Sequence, residues 1–208
     1  VQPGETSFQH VIAELGGKNA IIVDDDADID EAVQATIASA FGYSGQKCTA
    51  CSRVIVLADV YKDYLSKLVE AAGGIKPASS ELPGTTVGPL IDAEAVENAW
   101  RWVEIGKREA RCVLEGRPPQ AGERNSVNGY YFPPVIFADV LPNARIAQEE
   151  ILAPILTVTR AENFAQAVEI ANHSPYGLTG GVFSRSPSNI ELAKHRLRVG
   201  NLYVNRKV

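Results

Sequence analysis

The sequence predicts an α/β domain: a mainly parallel sheet with helices on both faces, in three layers. Three observations carry that expectation. Short apolar runs such as "NAIIVD", "RVIVLA" and "PILTVTR" alternate along the chain with segments of helical periodicity. The runs are apolar throughout, as strands buried on both faces are. No internal repeat, low-complexity stretch or second-domain boundary interrupts the alternation, and 208 residues are enough for one large core.

The elements follow in order. "NAIIVD" is a buried strand. Asp26 and Asp28 are candidate caps for a helix with Ile29, Val33, Ile37 and Phe41 on one face, ending at "GYSGQK". "RVIVLA" is the next strand, and Asp59 is the expected cap of a helix burying Val60, Tyr64, Leu68 and Ala71. "AAGGIKPASSELPGTTVGPL" reads as a long connection. A third helix is expected from Asp92 to Ala110, followed by a strand "RCVLEG" and a surface loop "RPPQAGERNSVNG". "YYFPPVIFADV" is extended, and its two prolines suggest a sheet edge. "PILTVTR" is a strand, and "NFAQAVEIANHS" a helix capped by Asn163. "TGGVFSR" is a strand, and Ser186–Pro187 opens a helix with Ile190, Ala193 and Leu197 inward. "GNLYVN" closes as a strand.

Composition excludes several functions. The net charge is -5 and no basic stripe is present, which argues against nucleic acid as a partner. No segment is long and apolar enough to span a bilayer, and the start does not resemble a signal peptide. Three cysteines, an odd number, argue against a disulfide framework. They fit a reducing compartment such as the cytoplasm, or the mitochondrial matrix in a eukaryote. The chain has no methionine and ends on "GNLYVNRKV" without a turn or tail, so it is expected to be a piece of a longer protein.

"SGQKCTACSR" holds two of the cysteines, Cys48 and Cys51. A structural zinc site needs four ligands, and the other candidates, Cys112, His10, His173 and His195, are scattered singly. A thioredoxin-type pair follows a strand and opens a helix; here a helix precedes and a strand follows. Cys51 and Cys112 read as small packed residues. Cys48 stands among small and polar residues beside Lys47, where a thiolate could be reached and stabilised. Upstream, Glu14 precedes Gly16–Gly17, a turn into the first strand that can hold a carboxylate free for proton transfer.

Together these motifs resemble the aldehyde dehydrogenase family. "ELGGKN" at 14–19 and "GQKC" at 45–48 are similar to its glutamate and cysteine signatures. "QEEILAPIL" at 148–156 resembles its E-E-I-F-G-P motif, and "PYGLTGGVFSR" and "GNLYVN" follow in the family's order. "GQKCTACSR" and "GNLYVNRK" are most similar to the branch that oxidises glutamate semialdehyde, the 1-pyrroline-5-carboxylate dehydrogenases, in proline degradation. General members of the family more often carry glycine at the Cys51 position.

The resemblance implies a mechanism and its residues. Cys48 is the implied nucleophile, forming a thiohemiacetal and then a thioester, with NAD as hydride acceptor and NADP left open. Glu14 is the implied base that activates water and helps deprotonate Cys48. The Cys48 N–H is one implied oxyanion donor. Glu150 is implied to bond the nicotinamide ribose, with Leu15 and Leu152 near the nicotinamide end. Thr49 stands where the branch has a serine that binds the substrate carboxylate, and it keeps a hydroxyl donor.

Two departures qualify the resemblance. Leu152 and Ala153 replace the family's usual aromatic and glycine. No G-x-G-x-x-G or comparable phosphate-cradling turn is present. The resemblance therefore implies the catalytic (thiol) domain alone, incomplete at its C-terminal end, with the dinucleotide-binding domain outside residues 1–208. On that reading the chain by itself turns over negligible NAD; a non-catalytic scaffold or interface module, as isolated, is an alternative of a different class. The intact protein is expected to be a homo-oligomer, stand-alone or fused to proline dehydrogenase. A dehydrogenase for another aldehyde is the alternative.

Overall fold

The computed structural model describes residues 12–119 and 129–208. His10 and most of the "QAGERNSVNG" loop lie outside the described residues. Nine strands and six helices are formed among them. The strands are β1 (Asn19–Val23), β2 (Cys51–Leu57), β3 (Pro89–Leu90), β4 (Arg111–Glu115), β5 (Tyr130–Tyr131), β6 (Val135–Ala138), β7 (Ile155–Ala161), β8 (Thr179–Phe183) and β9 (Asn201–Val204). The helices are α1 (Ile29–Phe41), α2 (Tyr61–Gly73), α3 (Ala93–Glu109), α4 (Arg145–Gln148), α5 (Phe164–Asn172) and α6 (Pro187–Arg196).

Seven strands form one sheet in the order β4-β6-β7-β2-β1-β8-β9, while β3 and β5 form a separate antiparallel pair. Every pairing in the large sheet is parallel except β4 with β6. The period of two along each strand divides the core between the two faces. Ile21 and Val23 of β1 pack with Val33 and Phe41 of α1 and with Tyr64 and Leu68 of α2. Ala20 and Ile22 point the other way, to Phe164 and Ala167 of α5 and Ala193 of α6. Trp102 and Val103 of α3 and Ile146 of α4 cover Val135 and Phe137 of β6. The three-layer α/β expectation holds.

Side-chain caps fix most helix starts. Asp28, Asp92, Asn163 and Ser186 each accept a backbone N–H from the first turn of α1, α3, α5 and α6. Asp26 does not cap α1; it accepts the Arg185 N–H at 2.8 Å instead. Asp59 does not cap α2, whose N-cap is Val60 with no side-chain bond. The buried face of α2 runs through Ala72, and Ala71 is exposed. The register is set by Tyr61, Tyr64 and Leu68, and four residues beyond Leu68 is Ala72.

Three further expectations are corrected. The stretch read as one extended edge divides in two: Tyr130–Tyr131 pairs with Pro89–Leu90, and β6 lies inside the large sheet. Its prolines, Pro133 and Pro134, precede the ladder and so cost it no donors. β2 begins at Cys51, so this cysteine is in the strand rather than before it. The long connection contains β3, and α4 arises where the sequence showed no helical period.

Candidate active site

The loop from α1 to β2 carries Cys48. It begins with three successive residues in the left-handed region: Tyr43 at φ 54°, Ser44 at φ 57° and Gly45 at φ 68°. Glycine adopts this conformation freely, whereas each other residue costs about 1–2 kcal/mol. A tight turn follows, closed by the Ala50 N–H on the Lys47 carbonyl at 3.0 Å. This turn leaves Cys48 exposed and Thr49 half-buried beside it. The Lys47 ammonium lies over the Tyr43 ring, 4.4 Å from its centroid. The cation expected beside the thiol is thus engaged by an aromatic face.

The three thiols are not equivalent. Cys51 is buried, and its Sγ donates to the Arg53 carbonyl at 3.3 Å. Burial pushes its pKa up to about 12. Burial also raises the Cys112 thiol, which packs half-buried against the α3 core. Cys48 is the exposed thiol of the three.

The segment Glu14–Gly17 lies against this loop. A side chain at Gly17 would collide with the Cys48 carbonyl oxygen, so glycine is required by close approach of two backbones. No turn is formed over residues 12–18, so the glycine pair is a contact surface and not the turn that the sequence suggested. The Gly17 N–H donates to Glu150 Oε1 at 2.8 Å. A Cβ on Gly16 would fall 2.6 Å from Glu150 Oε2. The fold therefore brings "ELGGK", the Cys48 loop and Glu150 together. Glu14 itself is exposed, and among the described residues its carboxylate has no hydrogen-bond partner.

Asn19, which sequence reasoning overlooked, joins the parts. Its Nδ2 donates to the carbonyls of Cys48 at 2.7 Å and Ala50 at 2.9 Å. Its Oδ1 accepts the Thr179 N–H at 3.0 Å. One buried amide thus links β1, the Cys48 loop and β8. The available signal was a polar residue opening an otherwise apolar strand.

Two cations are also buried here and were not anticipated. Arg53 donates to the carbonyls of Lys18, Ile170 and Ala171 at 2.8, 3.2 and 2.9 Å. Burial brings its pKa down to about 10. Lys18 is 2% exposed. Burial, and then the Arg53 charge, lower its pKa to about 7, against the opposing pull of Glu150 and Glu149.

Beside the loop is an open cleft of about 960 Å³, walled by Gln46, Pro89, Ile91, Ile151 and Leu152 among others. Leu152 is 46% exposed and holds a left-handed φ of 58°. Leu15, 61% exposed, and Glu150 do not line this cleft, and neither does Cys48. Of the residues expected at the nicotinamide end, Leu152 alone is on its wall. Among the described residues one carboxylate trio, Asp24, Asp25 and Asp26, is close enough to share an ion. Asp24 and Asp26 are engaged by Ser184, Asn189 and the Arg185 N–H. No described helix is long and apolar enough to cross a membrane.

Known proteins are similar to this chain in sequence and in fold. The sequence profile of the aldehyde dehydrogenase family matches residues 2–208. A 1-pyrroline-5-carboxylate dehydrogenase of Geobacillus kaustophilus is 47% identical over 206 residues, covering 99% of this chain and 39% of that protein. The proline utilization A structure from Bdellovibrio bacteriovorus superposes with a TM-score of 0.91 at 47% identity, over 100% of this chain and 21% of its own. A Thermus 1-pyrroline-5-carboxylate dehydrogenase with bound NAD gives a TM-score of 0.89 at 42% identity, over 99% of this chain and 39% of its own. The chain thus spans about two fifths of the length of the curated relatives it matches. With its glutamate, cysteine and E-E-I segments folded into one site, the chain belongs to the aldehyde dehydrogenase family.

Proposed function

We propose that the protein carrying this chain oxidises glutamate semialdehyde to glutamate, with Cys48 as nucleophile and Glu14 as base. The observation that supports this best is the contrast among the thiols. Cys48 is exposed on a loop fixed by Asn19, whereas Cys51 is sealed in β2 with its thiol pushed up to about 12. The relatives named 1-pyrroline-5-carboxylate dehydrogenase support the substrate, and the NAD-bound Thermus structure supports NAD as cofactor.

The residues present fit a nicotinamide cofactor. Glu150 offers a carboxylate beside a backbone kept bare at Gly16, and Leu152 offers an apolar wall to the cleft. Glu150 would hold the ribose hydroxyls, and Leu152 and Leu15 would flank the nicotinamide. The bound cofactor supplies a hydride acceptor.

The Cys48 thiolate attacks the aldehyde carbon and forms a C–S bond, and the carbonyl π-pair moves to oxygen. The Cys48 N–H donates to that oxyanion. Loss of the hydride restores the C=O bond and leaves a thioester on Cys48. Glu14 takes a proton from water, which attacks the thioester; the C–S bond breaks, and the thiolate returns as glutamate leaves. Thr49 donates its hydroxyl to the substrate carboxylate. Residues 1–208 form the thiol domain in this account, and the phosphate-binding part of the cofactor site belongs to the rest of the protein. A homo-oligomer, or a fusion with proline dehydrogenase, is the setting in which the domain works.

In the full-length protein, Cys48→Ala and Glu14→Gln should each lower steady-state NADH formation about 10³-fold or more. Activity retained in the cysteine variant would end the proposal. A panel of aldehydes tests the substrate: preference for a simple aliphatic aldehyde would replace glutamate semialdehyde by another substrate while keeping the mechanism.

A further inference from the structure

The left-handed turn before Cys48 is held from outside. Tyr43 and Ser44 adopt a conformation that persists only where the surroundings impose it. Ser44 Oγ donates to the Gly88 carbonyl at 2.9 Å. Gln46 grips the same segment at two points. Its Nε2 donates to the Pro89 carbonyl at 3.3 Å, and its Oε1 accepts the Ile91 N–H at 2.9 Å. Those two groups flank Leu90, which is buried in the core beneath α3. On the opposite side Gly45 lies against the Ala153 carbonyl with no room for a side chain. The segments on both sides, 88–91 and 151–153, carry wall residues of the cleft that Gln46 itself lines.

The Cys48 loop is therefore clamped at two ends. Asn19 holds its exit through the Cys48 and Ala50 carbonyls. Gln46 holds its entry, two residues before the thiol. We propose that Gln46 is a positioning residue for the nucleophile: its amide ties the strained turn to the cleft wall at Pro89 and Ile91. By this tie it sets where the Cys48 thiol and N–H point. The inference rests on Cys48 being the nucleophile. Without the clamp the turn relaxes toward the right-handed region, and the thiol and the oxyanion donor move together. Misplacement of reacting groups by about 1 Å is enough to cost about 10²-fold in rate. Asn19 still holds the carbonyls of Cys48 and Ala50 on either side of Thr49, the proposed substrate contact, so the loss falls mainly in kcat.

The test uses the full-length protein. Gln46→Leu keeps the size and removes both hydrogen bonds; Gln46→Glu keeps the acceptor for the Ile91 N–H. The proposal expects kcat for Gln46→Leu to fall about 10- to 100-fold, with the aldehyde KM within about threefold. The Cys48 iodoacetamide rate should change while the buried Cys51 stays protected, and Gln46→Glu should recover part of kcat. Unchanged kcat and unchanged Cys48 alkylation would overturn it. So would a loss accompanied by exposure of Cys51, which marks a purely structural role. If Gln46→Leu does not fold, Gln46→Glu decides by the same kcat and alkylation readings. Cys48→Ala measured alongside separates the two ideas: an active Cys48→Ala removes the nucleophile itself, whatever Gln46 does.

Discussion

Lys18 is the residue whose environment is hardest on its charge. It follows the two glycines that touch Cys48 and Glu150, and its side chain is buried. Burial lowers its pKa from 10.5 to about 7, helped by Arg53 and opposed by Glu150 and Glu149. The sign of the effect on stability follows from proton counting. Between about 7 and 10.5 the unfolded chain holds a proton that the folded chain does not. Stability therefore rises with pH across that window, and below about 7 the buried cation destabilises the fold in full. Lys18→Met should remove this rise. Urea midpoints of wild type and variant should differ most below about pH 7 and converge toward about pH 10. A difference independent of pH would contradict it. Nothing in "GGKNAIIV" announces this behaviour, because burial of a lysine depends on what β2, α5 and the 149–150 segment bring to it.

At the scale of elements, local chemistry decides the starts and long-range packing decides the rest. Asp28 caps α1 through the Glu31 N–H at 3.1 Å and also pairs with Arg185 at 3.0 Å. Asp28→Ala should cost about 1 kcal/mol, mostly from the cap, since exposed ion pairs contribute little. It should leave kcat of the full-length protein unchanged, and a unaltered unfolding midpoint would contradict the assignment. Caps of this kind were legible in the sequence at Asp28 and Asn163, because the interaction spans one helical turn, while Asp92 and Ser186 stood only at expected helix starts. Asp59 misled because an acidic residue before a helical period looks the same whether or not its side chain turns back. β3 and β5 were illegible because two-residue strands carry no period, and their pairing joins distant segments. The proline-rich run was placed at an edge because the sequence does not show that both prolines precede the ladder.

At the scale of the whole molecule, the fold makes one site from segments that are far apart in the chain. Gly17 and Glu150, 133 positions apart, share a hydrogen bond, and Asn19 binds both the Cys48 loop and β8. The candidate nucleophile, base and ribose carboxylate were legible because each stands in a recognisable short motif. The supports were not: Asn19, Gln46 and Arg53 act through backbone groups of other segments, and only the assembled sheet reveals them. The cleft likewise draws on the Cys48 loop, β3, α3 and the 151–152 segment.

If Cys48 carries the acyl group and Glu14 releases it, blocking the release traps the acyl group on the cysteine. Glu14→Gln in the full-length protein, mixed with glutamate semialdehyde and NAD and quenched within a turnover, tests this by peptide mass spectrometry. The account predicts a glutamyl thioester accumulating on the peptide that contains Cys48, with Cys51 and Cys112 unmodified. NADH formation without an adduct on Cys48, or an adduct on either of the other cysteines, would contradict it.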